Sequence, residues 1–218
     1  MANIFPPGAD HLLRTALILG SGLLVAGIVI LVAFAHSPYA TGQGRILVQP
    51  VPFSHRHHVG DAGLDCRYCH GAVETSAPAG MPDSATCMTC HSQLFTDAPM
   101  LAPVRRSLAD GQPLRWRRVY RLPDHVYFSH APHVRNGIGC TTCHGAVGEM
   151  PLTAQATPMT MEWCLDCHRD PAPHLRPPEA VFAPVAAAMD LSGDRLDELM
   201  QRYGIRSEGL ADCTVCHR

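Results

Sequence analysis

The sequence predicts a mainly irregular chain carrying short α-helices, preceded by one N-terminal transmembrane helix. Three observations predict it. Nineteen Pro and 18 Gly among 218 residues leave few stretches long enough for regular structure. Residues 15–35 are apolar apart from Thr15 and Ser21. All ten cysteines fall in five copies of Cys-x-x-Cys-His: Cys66/Cys69/His70, Cys87/Cys90/His91, Cys140/Cys143/His144, Cys164/Cys167/His168 and Cys213/Cys216/His217. In this motif two thiols attach to a porphyrin edge and the next imidazole takes the iron, which is the signature of c-type haem. The fold class is therefore a multihaem cytochrome c, with the polypeptide wrapped around five haems.

Zinc and redox dithiols compete for the same cysteines. The intervals from Cys69 to Cys87 and from Cys143 to Cys164 suit paired zinc knuckles. Zinc, however, requires no histidine after every second cysteine, and Cys213/Cys216 would lack a partner knuckle. A thioredoxin-like dithiol needs a βαβ setting that no segment offers. Haem attachment also places the motifs outside the cytoplasmic membrane and leaves no cysteine for a disulfide.

Once the membrane-proximal segment is set aside, roughly 36 residues remain per haem, too few for a conventional core around each. The macrocycles are expected to supply much of the apolar interior. The formal charge is −2, and every basic residue apart from histidine is arginine. Arginine pairs bidentately with carboxylates, so Arg115, Arg117, Arg118 and Arg121 are candidates for the haem propionates, or else line a solvated loop. The balanced charge argues against nucleic acid as a partner.

At 1.5 Å per residue, residues 15–35 span roughly 31 Å, the thickness of a bilayer core. Ala33-Phe34-Ala35 has the small-residue pattern of a signal-peptidase site, but the apolar run exceeds a usual signal core, and a retained anchor is expected. Arg14 favours a cytoplasmic N-terminus, and the motifs put the remainder on the periplasmic, outer side. Small residues at four-residue spacing, Ala16 with Gly20 and Gly22 with Ala26, suit close packing against other membrane helices.

The remainder contains a duplication. Phe53-Ser54-His55-Arg56-His57-His58 precedes the first motif, and Phe128-Ser129-His130-Ala131-Pro132-His133 precedes the third. Both of those motifs continue as Cys-His-Gly-Ala-Val, and a second motif closes each module. The expected organisation is an anchor (1–36), two dihaem modules (37–110 and 111–178), and a C-terminal helical segment with the fifth haem (179–218). Within that last segment, Leu196, Leu199, Met200 and Tyr203 recur at helical spacing before Gly204, a stripe expected to cover the last haem.

Each Phe-Ser-His-x-x-His segment resembles that of class III multihaem cytochromes, in which the two histidines reach different haems. The resemblance implies that His55 and His130 are distal ligands of their own modules' first haems, while His58 and His133 cross to neighbours. Five irons need a fifth distal ligand. Met81, Met150, Met159 and Met161 are candidates, and methionine would raise the potential of its haem. His57, His125 and His174 are weaker candidates, each as readily a loop residue or a propionate partner.

The strings Gly80-Met81-Pro82 ahead of Cys87-Met88-Thr89-Cys90-His91, Leu122 to His130, and Met161-Glu162-Trp163-Cys164-Leu165-Asp166-Cys167-His168-Arg169 are similar to the pentahaem cytochrome subunit (ActA) of bacterial alternative complex III. The likeness extends over nearly the whole chain. It implies a non-catalytic electron wire serving a quinol:acceptor oxidoreductase. The implied partners are an iron–sulfur subunit, polytopic quinol-binding membrane subunits and a monohaem cytochrome. The acceptor is a cytochrome c, a high-potential iron–sulfur protein, a blue copper protein or an oxidase. The alternative is a membrane-anchored quinol dehydrogenase acting alone, but those families carry a methionine just after a haem motif, where this chain has Gly71 and Ala72. An oxyanion reductase is disfavoured because no motif ends in lysine.

Overall fold

A computed structural model of the chain describes residue 6, residues 8–185 and residues 193–217. It divides into two compact units, Met1–Gly42 and Gln43–Arg218.

In the first unit, helix α1 runs from Ala9 to Ala35 and is exposed along its length. Among the described residues it is the one helix long and apolar enough to cross a membrane. It begins six residues ahead of the apolar run because Asp10 and Arg14, one turn apart, pair at 3.0 Å on its first turns. Ser21 returns its hydroxyl to the Leu17 carbonyl at 2.7 Å, so the helix carries this polar group without outside help. Ser37 caps a single turn, α2 (Pro38–Thr41), and Gly42 ends it at φ 76°.

The second unit has no strand among its described residues; Ile46–Ala154, Val126–His217 and Ile138–Leu175 are isolated antiparallel bridges. Its helices are short: α3 (Cys66–Cys69), α4 (Ser84–His91), α5 (Ala102–Asp110), α6 (His130–Arg135), α7 (Cys140–His144), α8 (Met161–Arg169), α9 (Gly193–Tyr203) and α10 (Cys213–Cys216). Arg56–Asp61 forms a single π-helical stretch. The apolar core is thin. Val51, Leu101 and Val104 form one nucleus with Cys87, Met88, Leu114 and Trp116 around it, while Leu175 and Leu199 are fully buried elsewhere. So few buried side chains fit a fold whose apolar interior is completed by covalently held cofactors.

The two repeats interlock within this unit. Gln49 Nε2 donates to the Arg117 carbonyl at 2.8 Å, and the Arg117 amide donates to Gln49 Oε1 at 2.9 Å. The Arg56 amide donates to the Met150 carbonyl, while the His130 and Ala131 amides donate to Ala77 and Ser76. At one crossing Gly60 lies against the Gly148 backbone so closely that a Cβ at Gly60 would overlap the Gly148 carbonyl.

The helical stripe on α9 is present, with Leu199 buried and Leu196, Met200 and Tyr203 half-buried; residues 186–192 lie outside those described. The stripe packs on the 3₁₀ turn Ala172–His174 behind the fourth motif, and Tyr203 donates to the Arg176 carbonyl at 2.8 Å. It thus returns the chain onto the second repeat. Gly204 ends α9 at φ 62°.

Candidate haem-binding site

Every Cys-x-x-Cys-His copy lies on a short helix. Cysteines three apart share a helical face, so both sulfurs of a copy meet one porphyrin edge. The helix starts are set locally. Asp65 accepts from the Arg67 amide, Asp83 from the Thr86 amide and Thr160 from the Trp163 amide.

The motif histidines are oriented by their second nitrogens. Nδ1 lies 2.7 Å from the Gly80 carbonyl at His70, 3.1 Å from Leu94 at His91, 2.7 Å from Leu210 at His168 and 3.2 Å from His125 at His217. A carbonyl accepts only, so each Nδ1 carries the proton and Nε2 is left for a metal.

A second imidazole stands opposite four of the five motif histidines. Ring centroids are 6.0 Å apart for His58 and His91, 6.3 Å for His130 and His144, 6.0 Å for His133 and His168, and 5.6 Å for His125 and His217. His55, the remaining member of the two Phe-Ser-His-x-x-His segments, is the candidate partner of His70. A metal–imidazole bond of roughly 2 Å, plus roughly 1 Å from nitrogen to ring centre, sets two imidazoles on opposite sides of one metal roughly 6 Å apart. The spacing therefore fits one iron between each pair.

The partner imidazoles are anchored in the same way. Nδ1 lies 2.8 Å from the Ser54 carbonyl at His58, 2.8 Å from Ala77 at His130 and 2.7 Å from Ser129 at His133, while at His55 it meets Thr153 Oγ1 at 3.0 Å. The repeated phenylalanine now has a reason. Phe53 stacks on His58 at 4.3 Å and meets His55 edge-on at 4.9 Å; Phe128 contacts His133 at 4.6 Å and His130 at 4.8 Å. One ring thus fixes two divergent imidazoles.

Burial disfavours the protonated form at three of these imidazoles and so favours the neutral form that binds metal. It pulls His55 down to about 4, helped by His70 and His58, and His144 to about 4, helped by His130, His70 and His55. His133 is lowered for the same reason. Burial pushes the Cys143 thiol up to about 12 and raises Cys69, Cys87, Cys164 and Cys167, which is the reverse of a reactive thiolate. Among the described residues no group of three His, Cys, Asp or Glu side chains is gathered as a zinc site requires.

The residue that sequence reasoning undervalued is His125. With it opposite His217, a histidine faces four of the motif histidines, and His55 is the candidate for the fifth, His70. Met81 and Met161 are exposed, and Met150 and Met159 half-buried. His125 stands outside the Phe-Ser-His-x-x-His repeat, and only the pairing of Val126 with His217 brings it there. Arg115, Arg117, Arg118 and Arg121 are all exposed. Trp116 Nε1, beside Cys87 in the small core, is buried without a protein partner, as is Thr142 Oγ1 inside the third motif. Such donors suit the propionates of a bound haem.

Short helices on a largely irregular chain, facing imidazole pairs and paired cysteines define a multihaem c-type cytochrome. The chain belongs to the family of cytochrome c7 and related cytochromes c, whose profile matches residues 51–104 and 126–218. It is also 40% identical over 97 residues to the menaquinone reductase multihaem cytochrome c subunit of Nitratidesulfovibrio vulgaris (strain Hildenborough), which covers 44% of this chain and 45% of that one. The chain thus matches less than half the length of this curated relative.

Proposed function

We propose that the ten cysteines and five histidine pairs hold five c-type haems and that the chain is an electron-transfer subunit, without catalysis of its own, of a membrane quinol:acceptor oxidoreductase of the alternative complex III kind. A bound c-type haem supplies a one-electron ferric/ferrous couple. The chain's part is to occupy both axial positions with neutral imidazoles, which leaves no coordination position for a substrate. It also holds the sites close through histidines three residues apart and fixes eight of the ten rings through Nδ1 hydrogen bonds. The observation that carries this reading is the imidazole opposite four of the five motif histidines. The likeness to a menaquinone reductase subunit of Nitratidesulfovibrio vulgaris supports a quinone-linked role. Helix α1, exposed and apolar, serves as the anchor with its N-terminus in the cytoplasm, and the motif-bearing unit lies on the outer side. The partners are an iron–sulfur subunit, polytopic quinol-binding subunits and a monohaem cytochrome, with a soluble or membrane-bound acceptor.

Intact mass and haemochrome spectra of the purified chain should give five haems. The ferric protein should be low-spin throughout, and the ferrous protein should not bind carbon monoxide. A high-spin, ligand-binding haem would count against a pure wire. Quinol oxidation by the isolated chain would instead favour the lone dehydrogenase.

A further inference from the structure

We infer that the five sites form one unbranched row whose spatial order is second, first, third, fourth, fifth, rather than the order of the motifs along the chain. The inference rests on the reading of the five motifs as haem sites and adds the connectivity among them.

The second and first sites meet through their motif helices, where Tyr68, between Cys66 and Cys69, has its hydroxyl 2.8 Å from Oγ1 of Thr89, between Cys87 and Cys90. His55 and His58, the latter facing His91, also share the Phe53 ring. The first and third sites meet across the two repeats. Arg135 Nε donates to the Glu74 carbonyl at 2.8 Å, and the Arg56 amide donates to the Met150 carbonyl at 3.0 Å. Around this junction Thr153 meets His55, and His130 bonds to Ala77.

The third and fourth sites repeat the first junction. His130 and His133 share Phe128 and face His144 and His168. The fourth and fifth sites meet where His168 bonds to the Leu210 carbonyl, three residues ahead of the fifth motif.

None of these contacts skips a member of the row. Exposure agrees independently: Cys90 and Cys213 are the two exposed cysteines, one in the second motif and one in the fifth, while the other eight are half-buried. The two surface-reaching motifs are therefore the two ends. The duplication explains the order. Each repeat carries its sites as a pair, and the repeats join through their first members, so the second motif is thrown outward and the tail extends the other end.

The decisive measurement is the set of iron positions in the haem-loaded full chain, from anomalous scattering at the iron edge or from an electron-microscopy map. The nearest-neighbour iron pairs should be second–first, first–third, third–fourth and fourth–fifth. Five irons with the second next to the fourth or fifth, or with one iron at the centre of a star, would overturn the row while leaving the five-haem reading intact. Fewer than five irons would sink that reading, and the row with it. As an independent readout in solution, His91→Met and His58→Met (end site) are compared with His70→Met and His55→Met (interior site) by potentiometric titration with electron paramagnetic resonance. An end lesion should shift the midpoint of one neighbouring haem, and an interior lesion should shift two. Two shifted neighbours for the end variants would contradict the order.

Discussion

His125 shows how much can depend on one side chain. Its ring lies at 5.6 Å from that of His217, with planes 22° apart, the most parallel arrangement after His130 and His144. Replacing it by methionine should keep the fifth iron low-spin and raise the potential of that haem alone, since thioether ligation favours the ferrous state over bis-imidazole ligation. His125→Ala should instead give one high-spin site in five, seen by electron paramagnetic resonance; an unchanged low-spin spectrum would remove His125 from the site. Trp116 poses a sharper question, because its Nε1–H is buried with no protein acceptor. If nothing accepts it, Trp116→Phe costs only packing; if a haem carboxylate accepts it, the variant loses a hydrogen bond to a charged group. The second outcome is expected, with a loss of about 1.5–3 kcal/mol in denaturant unfolding and a lowered midpoint at the second site. The difference between these residues and the motif cysteines is instructive. Cysteine and its adjacent histidine announce their chemistry by spacing along the chain. His125 and Trp116 acquire theirs only when a distant segment folds against them, and His125 stands immediately outside the matched segment that begins at 126.

At the level of elements, the Phe-Ser-His-x-x-His segments were legible because a divergent imidazole pair needs residues on nearby faces of one turn. The second copy forms α6, an ordinary helix from His130 to Arg135, whereas the first opens into a π-helical stretch over Arg56–Asp61. Sequence alone did not distinguish them. The widened turn is where the first repeat meets the second, with Gly60 pressed on Gly148 and Gly148 in turn too close to Pro184 for a Cβ. Gly60→Ala must therefore displace backbone, since the nearest atom is a carbonyl oxygen rather than a movable side chain. It should destabilise the protein by about 1–3 kcal/mol, the usual cost of overpacking, and should perturb the first and third sites while sparing the fifth. Midpoint potentials resolved site by site check this; an equal effect at the fifth site would mean global loosening instead. The α9 stripe carries the same lesson. Its periodicity revealed a buried face, but not that Leu199 and Tyr203 would meet the segment Ala172–Arg176.

The whole molecule combines a thin apolar core with a set of buried neutral imidazoles, and its response to acid follows from both. His55 and His144 sit at about 4 in the folded chain against an ordinary value near 6.5, with burial as the first cause. Between those limits the unfolded chain takes up protons that the folded chain refuses. Stability is therefore fully present above about pH 6.5 and falls as the pH drops through the window toward 4. Protonation of the two groups therefore weakens the fold as the pH falls toward 4, with His133 adding in the same direction. Iron ligation strengthens the effect, since a proton and a metal compete for the same nitrogen. Surface ion pairs such as Arg67–Asp65, at 2.8 Å but nearly half exposed, contribute little to the change. Denaturant unfolding of the haem-loaded chain from pH 7.5 to 4, followed together by far-ultraviolet circular dichroism and by the low-spin haem bands, should show a stability flat above 6.5 and then steadily declining. The two probes should fall together, because a core this small cannot stay folded once the imidazole pairs that hold its cofactors are protonated. A stability that stayed level down to pH 4 would mean that the paired histidines are not the fastening that closes this fold.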